Sequence, residues 1–328
     1  MREHRSPLAL GLLLALVVVG VQALLVPLFA GPAAHIGPRD LPIAVAGPPP
    51  ATQQLAARLA AERPGAFEVT QVADAAALDA AIRDRDVYGG ILVTPAGAQV
   101  HLASAASPTV AGLLSQAAAG LQAQVVDVVP VHNGDPRGAG FGAGFLPLAM
   151  TSLLAGLLIF LLVPTRGARL TALLGYAVAS GLAGAAVLRY WLDVLPGDYL
   201  ADAGVLALFG LAVAATLTGL GAVLDRAGLA LGVLMVFLVG NALSAVGSAP
   251  ELLPQPWGAF GQWLPIGSGG TLLRSVAYFD GNGGLMAATV LTAYAVVGLL
   301  LVVAGRSGLR ARTAEVAAVP AREPALAA

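Results

Sequence analysis

The chain of 328 residues contains no cysteine, and all of its 17 basic residues are arginine because lysine does not occur. Without cysteine, disulfides, thiolate catalysis and cysteine-ligated zinc are excluded. Without lysine, a P-loop nucleotide site is excluded, because its lysine holds the phosphates. Charged residues make up only 11% of the chain, and the formal net charge is -1. This balance does not favour a nucleic-acid partner, which calls for a basic surface.

Apolar residues are abundant instead, at 58% of the chain, and the mean hydropathy is +0.83. These values exclude an ordinary soluble domain and a disordered chain. Six stretches reach the ~20 apolar residues that a helix needs to cross a bilayer, and none contains a charged residue or histidine. The six stretches are 7–30, 141–163, 170–188, 203–224, 227–248 and 285–304.

The arginines that flank these stretches predict their orientation. If the six stretches alternate in direction, the flanking arginines fall on one side, which the positive-inside rule makes the cytoplasm. Both termini are then cytoplasmic, in a plasma membrane. The first stretch is longer than a signal-peptide core, which favours an uncleaved anchor over a cleaved leader. The arginines on the predicted inner side are Arg2, Arg5, Arg166, Arg169, Arg226, Arg306, Arg310 and Arg312.

Residues 31–140 hold 15 of the 35 charged residues and are predicted to form an external α/β domain. Short apolar runs alternate with helical patterns, which is typical of a small, partly parallel sheet. Strands are expected at 42–46, 67–72, 87–93 and 99–103. Helices are expected at 52–63, at 75–85 after Asp74 as N-cap, and from Pro108 to about 126 after Ser107.

The predicted external loop 249–284 is long and too apolar for free solvent. It carries Trp257 and Trp263, residues that favour the bilayer interface, and a short helix at 271–279 that includes Arg274 and Tyr278. Two interpretations remain open: an interfacial hairpin that closes the top of the bundle, or a re-entrant lid over an exit path.

The spans offer few polar residues for a transport path. Gln22 and Asn241 are the strongest candidates, and either interhelical hydrogen bonding or a place on a substrate path explains them. A proton-coupled transporter usually keeps an ionisable group at membrane depth, and the predicted spans have none. Pairs of small residues, such as Gly181 with Ala185 and Gly228 with Gly232, indicate close helix packing within the bundle or at a dimer seam.

The order of one span, an external α/β domain and five further spans resembles the type-2 ABC exporter permeases with a large external domain, among them the phage-infection proteins. Residues 87–95 (VYGGILVTP) resemble the family's strand and turn before a hairpin, and residues 262–280 (QWLPIGSGGTLLRSVAYFD) resemble its loop before the last span. The resemblance implies an exporter permease for an amphipathic or lipid-like substrate, a homodimer or pseudo-dimer, and a separate ATPase subunit. It implies no catalytic residue and no cofactor in this chain.

The chain departs from that pattern on its predicted cytoplasmic side. Only six residues, 164–169, join the second and third spans, which is under two turns of helix. Arg166, Arg169 and Arg226 are the expected contacts to an ATPase there, and 305–328 is expected to be a disordered tail. The scarce cytoplasmic surface keeps two alternatives: an ATPase-independent envelope scaffold that binds a partner through its external domain, and a secondary transporter.

Overall fold

The structure is a computed structural model that describes residues 7–305. Arg2, Arg5, the arginines after 305 and the predicted tail from 306 onward lie outside the described residues. Within them, five helical segments are long and apolar enough to cross a membrane. The five segments are Leu10–Pro32, Ala139–Leu162, Arg166–Trp191, Tyr199–Leu243 and Leu285–Ala304.

Helix α1, Pro7–Ala34, stands apart from the other long helices. Its residues are apolar on every side, so no face is set aside for a protein core. Large side chains such as Leu16 and Val18 are exposed, and the bundle contacts come from its C-terminal end, near Leu243 and Trp257. An apolar helix with this exposure has the surface of a helix that faces lipid.

A mixed five-stranded sheet with three helices follows α1, and we call residues 41–127 the sheet domain. The strand order is β2-β1-β3-β4-β5; β1 pairs in parallel with β2 and β3, β4 is antiparallel to β3, and β5 is parallel to β4. The elements are β1 Leu41–Ala46, α2 Pro49–Glu62, β2 Phe67–Val72, α3 Ala75–Arg83, β3 Gly89–Thr94, β4 Gly97–Leu102, α4 Pro108–Gly120 and β5 Gln124–Asp127.

The predicted N-caps are present, because Asp74 accepts a hydrogen bond from the backbone of Ala77 and Ser107 accepts one from Val110. The predicted extension of α4 to about residue 126 is wrong. The helix ends at Gly120, Gln122 takes a left-handed φ of 52°, and the chain then enters β5. The β-branched pair Val125 and Val126 belongs to that edge strand, which favours such residues.

The bundle begins with α5, Ala139–Leu162, and α6, Arg166–Ala186, which a π-helical turn extends through Val187–Trp191. Next come α7, Tyr199–Gly232, a π-helical stretch Val233–Val239, and α8, Gly240–Leu243. A 3-10 turn Pro250–Leu252, α9 Trp257–Gly261 and α10 Pro265–Tyr278 precede α11, Leu285–Ala304.

The long segment from α7 to α8 is not one straight rod. Asp225 has non-helical backbone angles, with φ 54° and ψ -131°, and divides it into arms at 199–224 and 226–243. A Cβ atom at Gly228 would clash with the carbonyl oxygen of Leu220, so the second arm folds back closely against the first. The predicted small-residue position Gly228 is therefore used in packing within the chain.

The first arm of α7 is the centre of the bundle. Ala212 and Ala214 are fully buried, and the small side chains let the neighbouring helices approach closely. Gly181 of α6 packs so tightly on Ala203 that a Cβ atom there would clash with its carbonyl oxygen. Thr218 donates a hydrogen bond to the carbonyl oxygen of Gly156 on α5, 3.0 Å away.

Helix α10 is longer than the predicted 271–279, because it begins at Pro265 and includes the glycine-rich stretch 267–270. These small residues form a packing face here. A Cβ atom at Gly269 would lie 2.6 Å from the ring of Phe209. Phe209 is the eleventh residue of α7, about 15 Å along that helix at 1.5 Å per residue. The helix α10 is therefore wedged into the bundle.

Candidate functional site

The sheet domain is joined to the chain between α8 and α9 by backbone and side-chain hydrogen bonds. The amide of Gly37 donates to the carbonyl oxygen of Leu252 at 3.0 Å, and the amide of Arg39 donates to that of Glu251 at 2.9 Å. The Arg39 guanidinium also donates to the Leu252 carbonyl oxygen, at 2.9 Å. The Leu252 side chain is fully buried in a hydrophobic core of the sheet domain. The 3-10 turn Pro250–Leu252 thus follows the bundle helix α8 in sequence but packs into the core of the sheet domain.

A cavity of about 250 Å³ lies at this junction, and we call it the junction cavity. Its walls come from the turn after α3, from the chain after α8, and from α10 and the start of α11. Its polar lining residues are Arg85, Asp86, Tyr88, Ser248, Glu251, Gln262, Thr271 and Arg274.

Arg274 is the most deeply placed charge of the junction cavity, with 6% of its surface exposed. Its Nη2 donates to the carbonyl oxygen of Val246 at 2.9 Å, and its guanidinium carbon lies 4.6 Å from the centre of the Phe141 ring. It forms no ion pair with any residue of 7–305, and its Nε and Nη1 donate no hydrogen bond within that range. These donors are left for whatever occupies the junction cavity.

Arg85 reaches the same cavity from the sheet domain. It follows the end of α3 with a left-handed φ of 64°, which turns the chain toward α10. Its Nη1 donates to the carbonyl oxygen of Thr271 at 3.2 Å and to the hydroxyl of Ser275. Its guanidinium carbon lies 5.2 Å from the centre of the Phe279 ring. Arg85 of the sheet domain is therefore held against α10.

Tyr88 and Gln262 brace the other walls. The Tyr88 hydroxyl donates to Oε2 of Glu251 at 2.8 Å. The Gln262 amide donates to the carbonyl oxygen of Ser244 at 3.1 Å and accepts from the Thr271 hydroxyl at 2.7 Å. Gln262 therefore ties the corner between α9 and α10 to the chain after α8.

Burial affects the charges of the junction cavity without removing them. It lowers the pKa of Arg274 to about 10, with the like charge of Arg85 as a further cause. Burial also lowers the pKa of Arg85, and it raises the pKa of Tyr88 above its usual range. At neutral pH both guanidinium groups are charged and the phenol is a hydrogen-bond donor. Two such cations suit the binding of an anionic group.

The four residues predicted for the loop 249–284 separate into two groups. Trp257 and Trp263 are about half exposed and, like Phe260, are not among the residues that line the junction cavity. Arg274 faces the junction cavity, and the Tyr278 hydroxyl donates to the carbonyl oxygen of Val194 at 3.1 Å. The two tryptophans therefore have different surroundings from Arg274, which is buried, and Tyr278, which is half-buried.

Two further exposed aromatic residues follow α6. Tyr190 and Trp191, at the end of the π-helical turn after α6, are 70% and 80% exposed. With Trp257 and Trp263 they place large aromatic side chains at the end of the bundle that carries the sheet domain. Such residues are enriched where a membrane protein meets the lipid headgroups.

Gln22 and Asn241, predicted as polar residues of a path or of helix packing, have different environments. Gln22 is exposed on α1 and makes no hydrogen bond to the described part of the chain. Asn241 is half-buried and lines a second cavity, between the start of α5 and α8, together with Arg137 and Phe145. Asn241 is therefore the one of the two that lines this cavity.

The three arginines predicted to contact an ATPase lie at the end of the bundle opposite the sheet domain. Arg166 and Arg226 are exposed. Arg169 is fully buried: it donates to the carbonyl oxygens of Val163 and Phe160, each at 2.9 Å. Arg169 thus holds the turn between α5 and α6 and offers no surface to a partner.

Asp202 lies in the first turn of α7, one residue before the predicted span, and is 1% exposed. Neither of its carboxylate oxygens has a hydrogen-bond partner among residues 7–305. Gly197 and Ala277 of α10 pack beside it. The predicted span 203–224 contains no acidic residue, but α7 begins earlier, at Tyr199, and so carries the carboxylate of Asp202 in its buried first turn.

Sequence reasoning did not identify Arg85, Tyr88 or Glu251 as site residues. In the sequence, Arg85 stands between Asp84 and Asp86 at the end of the predicted helix 75–85, and Glu251 is an isolated acid in an apolar loop. No sequence pattern indicates that Tyr88 contacts Glu251, since the two residues are 163 positions apart and only the fold brings them together. The motif 87–95 did contain Tyr88, but it was interpreted as strand and turn.

Comparisons with protein-family models, curated proteins and solved structures found no match to this chain.

Proposed function

We propose that the chain is a permease-like integral membrane protein, the transmembrane subunit of an ABC-type exporter that moves an amphipathic or lipid-like substrate. The observation that carries the proposal is the junction cavity. It joins a charged lining to a bundle of apolar helices, at the point where a molecule leaving a bilayer would meet the sheet domain. The resemblance of residues 87–95 and 262–280 to type-2 ABC permeases supports the same conclusion, because both motifs contribute to this cavity.

The proposal takes the five apolar segments as six crossings. The segment Tyr199–Leu243 is 45 residues long, whereas about 20 residues of helix span a bilayer. The reversal at Asp225 supports counting its two arms separately. Six crossings put the sheet domain outside and let α10 enter the bundle from that side. They put Arg166, Arg226 and both termini in the cytoplasm of a plasma-membrane protein.

In this topology α10 is a re-entrant helix. Its close contact with Phe209, the eleventh residue of α7, supports a helix that enters the bundle rather than one that lies on its surface. Its N-terminal half faces α8 and its Arg274 faces the junction cavity. We propose that α10 acts as the outer gate and that substrate passes it on the side of Asn241 and the second cavity.

The test is affinity purification of the full chain from its native membrane in a mild detergent, followed by mass spectrometry. We expect a stoichiometric ATPase subunit with a P-loop. Double charge reversal, Arg166→Glu with Arg226→Glu, should remove it, whereas Arg63→Glu, an exposed change in the sheet domain, should not. A chain that is purified repeatedly without an ATPase contradicts the proposal.

A second candidate is an ATPase-independent envelope scaffold, and one observation favours it. The end of the bundle opposite the sheet domain has little surface, since three residues join α5 to α6 and Arg169 is buried. In the same purification, this candidate predicts an envelope protein that is recovered through the sheet domain, with no ATPase.

A further inference from the structure

We infer that the junction cavity binds the anionic headgroup of an amphipathic molecule, with Arg274 and Arg85 as the hydrogen-bond donors. That the bound molecule is also the transported substrate rests on the proposed function. The binding itself is a property of this chain alone and is measured without an ATPase or transport.

The first step is the unmatched charge of Arg274. A guanidinium that is almost completely buried is normally paired with a carboxylate, because an unpaired buried ion loses its hydration without compensation. Arg274 instead has one carbonyl oxygen and one aromatic ring as neighbours, and Arg85 as a nearby like charge. An anion in the cavity supplies the missing counter-charge and accepts from Nε and Nη1.

The carboxylates of the cavity do not fill that role. Glu251 accepts the hydrogen bond of Tyr88 and is within ion-pair distance of neither arginine. Asp86 is exposed. Burial and the like charge of Arg85 lower the pKa of Arg274, and no acidic residue acts to raise it. Glu251 and Asp86 repel a highly charged anion, so the occupant should carry a low negative charge. Arg274 still requires an anion as its counter-ion.

The size of the cavity limits what can enter. At about 250 Å³ it is smaller than the ~300–1,000 Å³ of sites that enclose a whole drug-sized ligand. A phosphate, carboxylate or sulfonate group fits, and a long alkyl chain must remain outside. The lining changes from polar to apolar at Val246, Met286 and Ala287. Met286 and Leu285 are exposed at the start of α11, which gives an alkyl chain an apolar surface to follow.

The experiment is isothermal titration calorimetry on the purified full chain in a maltoside detergent. The probes are decyl phosphate, decyltrimethylammonium and inorganic phosphate. We expect saturable binding of decyl phosphate, no binding of the cation, and at least tenfold weaker binding of inorganic phosphate. Arg274→Gln should weaken decyl phosphate binding by roughly tenfold or more, the usual effect of losing hydrogen bonds to a charged group. Arg85→Gln should weaken it as well.

Arg58→Gln is the matched control, because it removes an exposed arginine of α2 that does not line the junction cavity, and it should bind as the wild type does. Equal affinity of the wild type and both cavity variants would overturn the inference, as would equal binding of the cation. Inorganic phosphate that binds as tightly as decyl phosphate would overturn the amphipathic assignment. If binding fails while an ATPase co-purifies, only this inference fails; the reverse result removes only the exporter function.

Discussion

The hydroxyl of Tyr88 donates a 2.8 Å hydrogen bond to the Glu251 carboxylate, across 163 positions of sequence and from one domain to the other. Tyr88 precedes β3 in the sheet domain, and Glu251 lies in the 3-10 turn Pro250–Leu252, which is followed by α9 and α10. The bond therefore connects the motif of residues 87–95 directly to the walls of the junction cavity.

Loss of that hydroxyl should loosen the junction. Tyr88→Phe removes the donor and leaves the Glu251 oxygen without its partner, at a cost of about 1–3 kcal/mol for a bond to a charged group. We expect a lower midpoint of thermal unfolding in detergent. Tyr190→Phe, at an exposed tyrosine, is the control and should leave the midpoint unchanged. A Tyr88→Phe midpoint equal to that of the wild type would contradict the role of this bond.

Two glycine-to-alanine changes inside helices should have opposite effects. At Gly269 the added methyl group meets the Phe209 ring at 2.6 Å, and overpacking of this kind costs about 1–3 kcal/mol. At Gly204 no heavy atom lies within 4 Å, so alanine should gain up to about 1 kcal/mol of helix propensity. Thermal unfolding of Gly269→Ala and Gly204→Ala measures both effects. A stabilising Gly269→Ala change would show that α10 is not wedged against α7.

The buried carboxylate of Asp202 should reduce stability. Both oxygens lack a hydrogen-bond partner among the described residues, and a buried ion in this state costs free energy. Asp202→Asn keeps the shape and removes the charge, so we expect a higher unfolding midpoint at pH 8. Asp280→Asn, at an exposed position, should have little effect. If Asp202→Asn lowers the midpoint, the carboxylate must have a favourable partner, such as a bound cation.

The proposed topology can be tested by cysteine labelling without removing any background, because the chain has no cysteine of its own. Single variants Arg63→Cys and Asp280→Cys should react with a membrane-impermeant maleimide in intact cells. Arg166→Cys and Arg226→Cys should react only after the membrane is permeabilised. Labelling of Arg226→Cys in intact cells would contradict the reversal at Asp225 as a turn on the cytoplasmic side.

Composition and hydropathy were sufficient for the coarse architecture, because burial in lipid or in a core selects residues by polarity alone. The apolar runs became long helices, and the alternation within 41–127 became the mixed sheet. Local chemistry was also readable where one residue decides it, as with the caps Asp74 and Ser107.

The errors share a physical cause, which is that tertiary contacts changed the local preference. Glycines 269 and 270 favour a loop in isolation, but in α10 they approach Phe209 and Val246 closely. In the sequence, Val125 and Val126 continue the helical pattern of α4. In the structure they pair with β4 and form a strand instead. The charge of Arg274 was visible in the sequence, whereas its burial without a counter-ion depends on the packing of four separate segments.

The exporter account is tested most directly by transport into inside-out vesicles from the native cell. Vesicles with the chain should accumulate radiolabelled decyl phosphate when ATP is supplied, and vesicles from a deletion strain should not. Restoring the chain as Arg274→Gln should restore much less uptake than the wild type does. Uptake that is the same with and without ATP, or with and without the chain, would contradict the account.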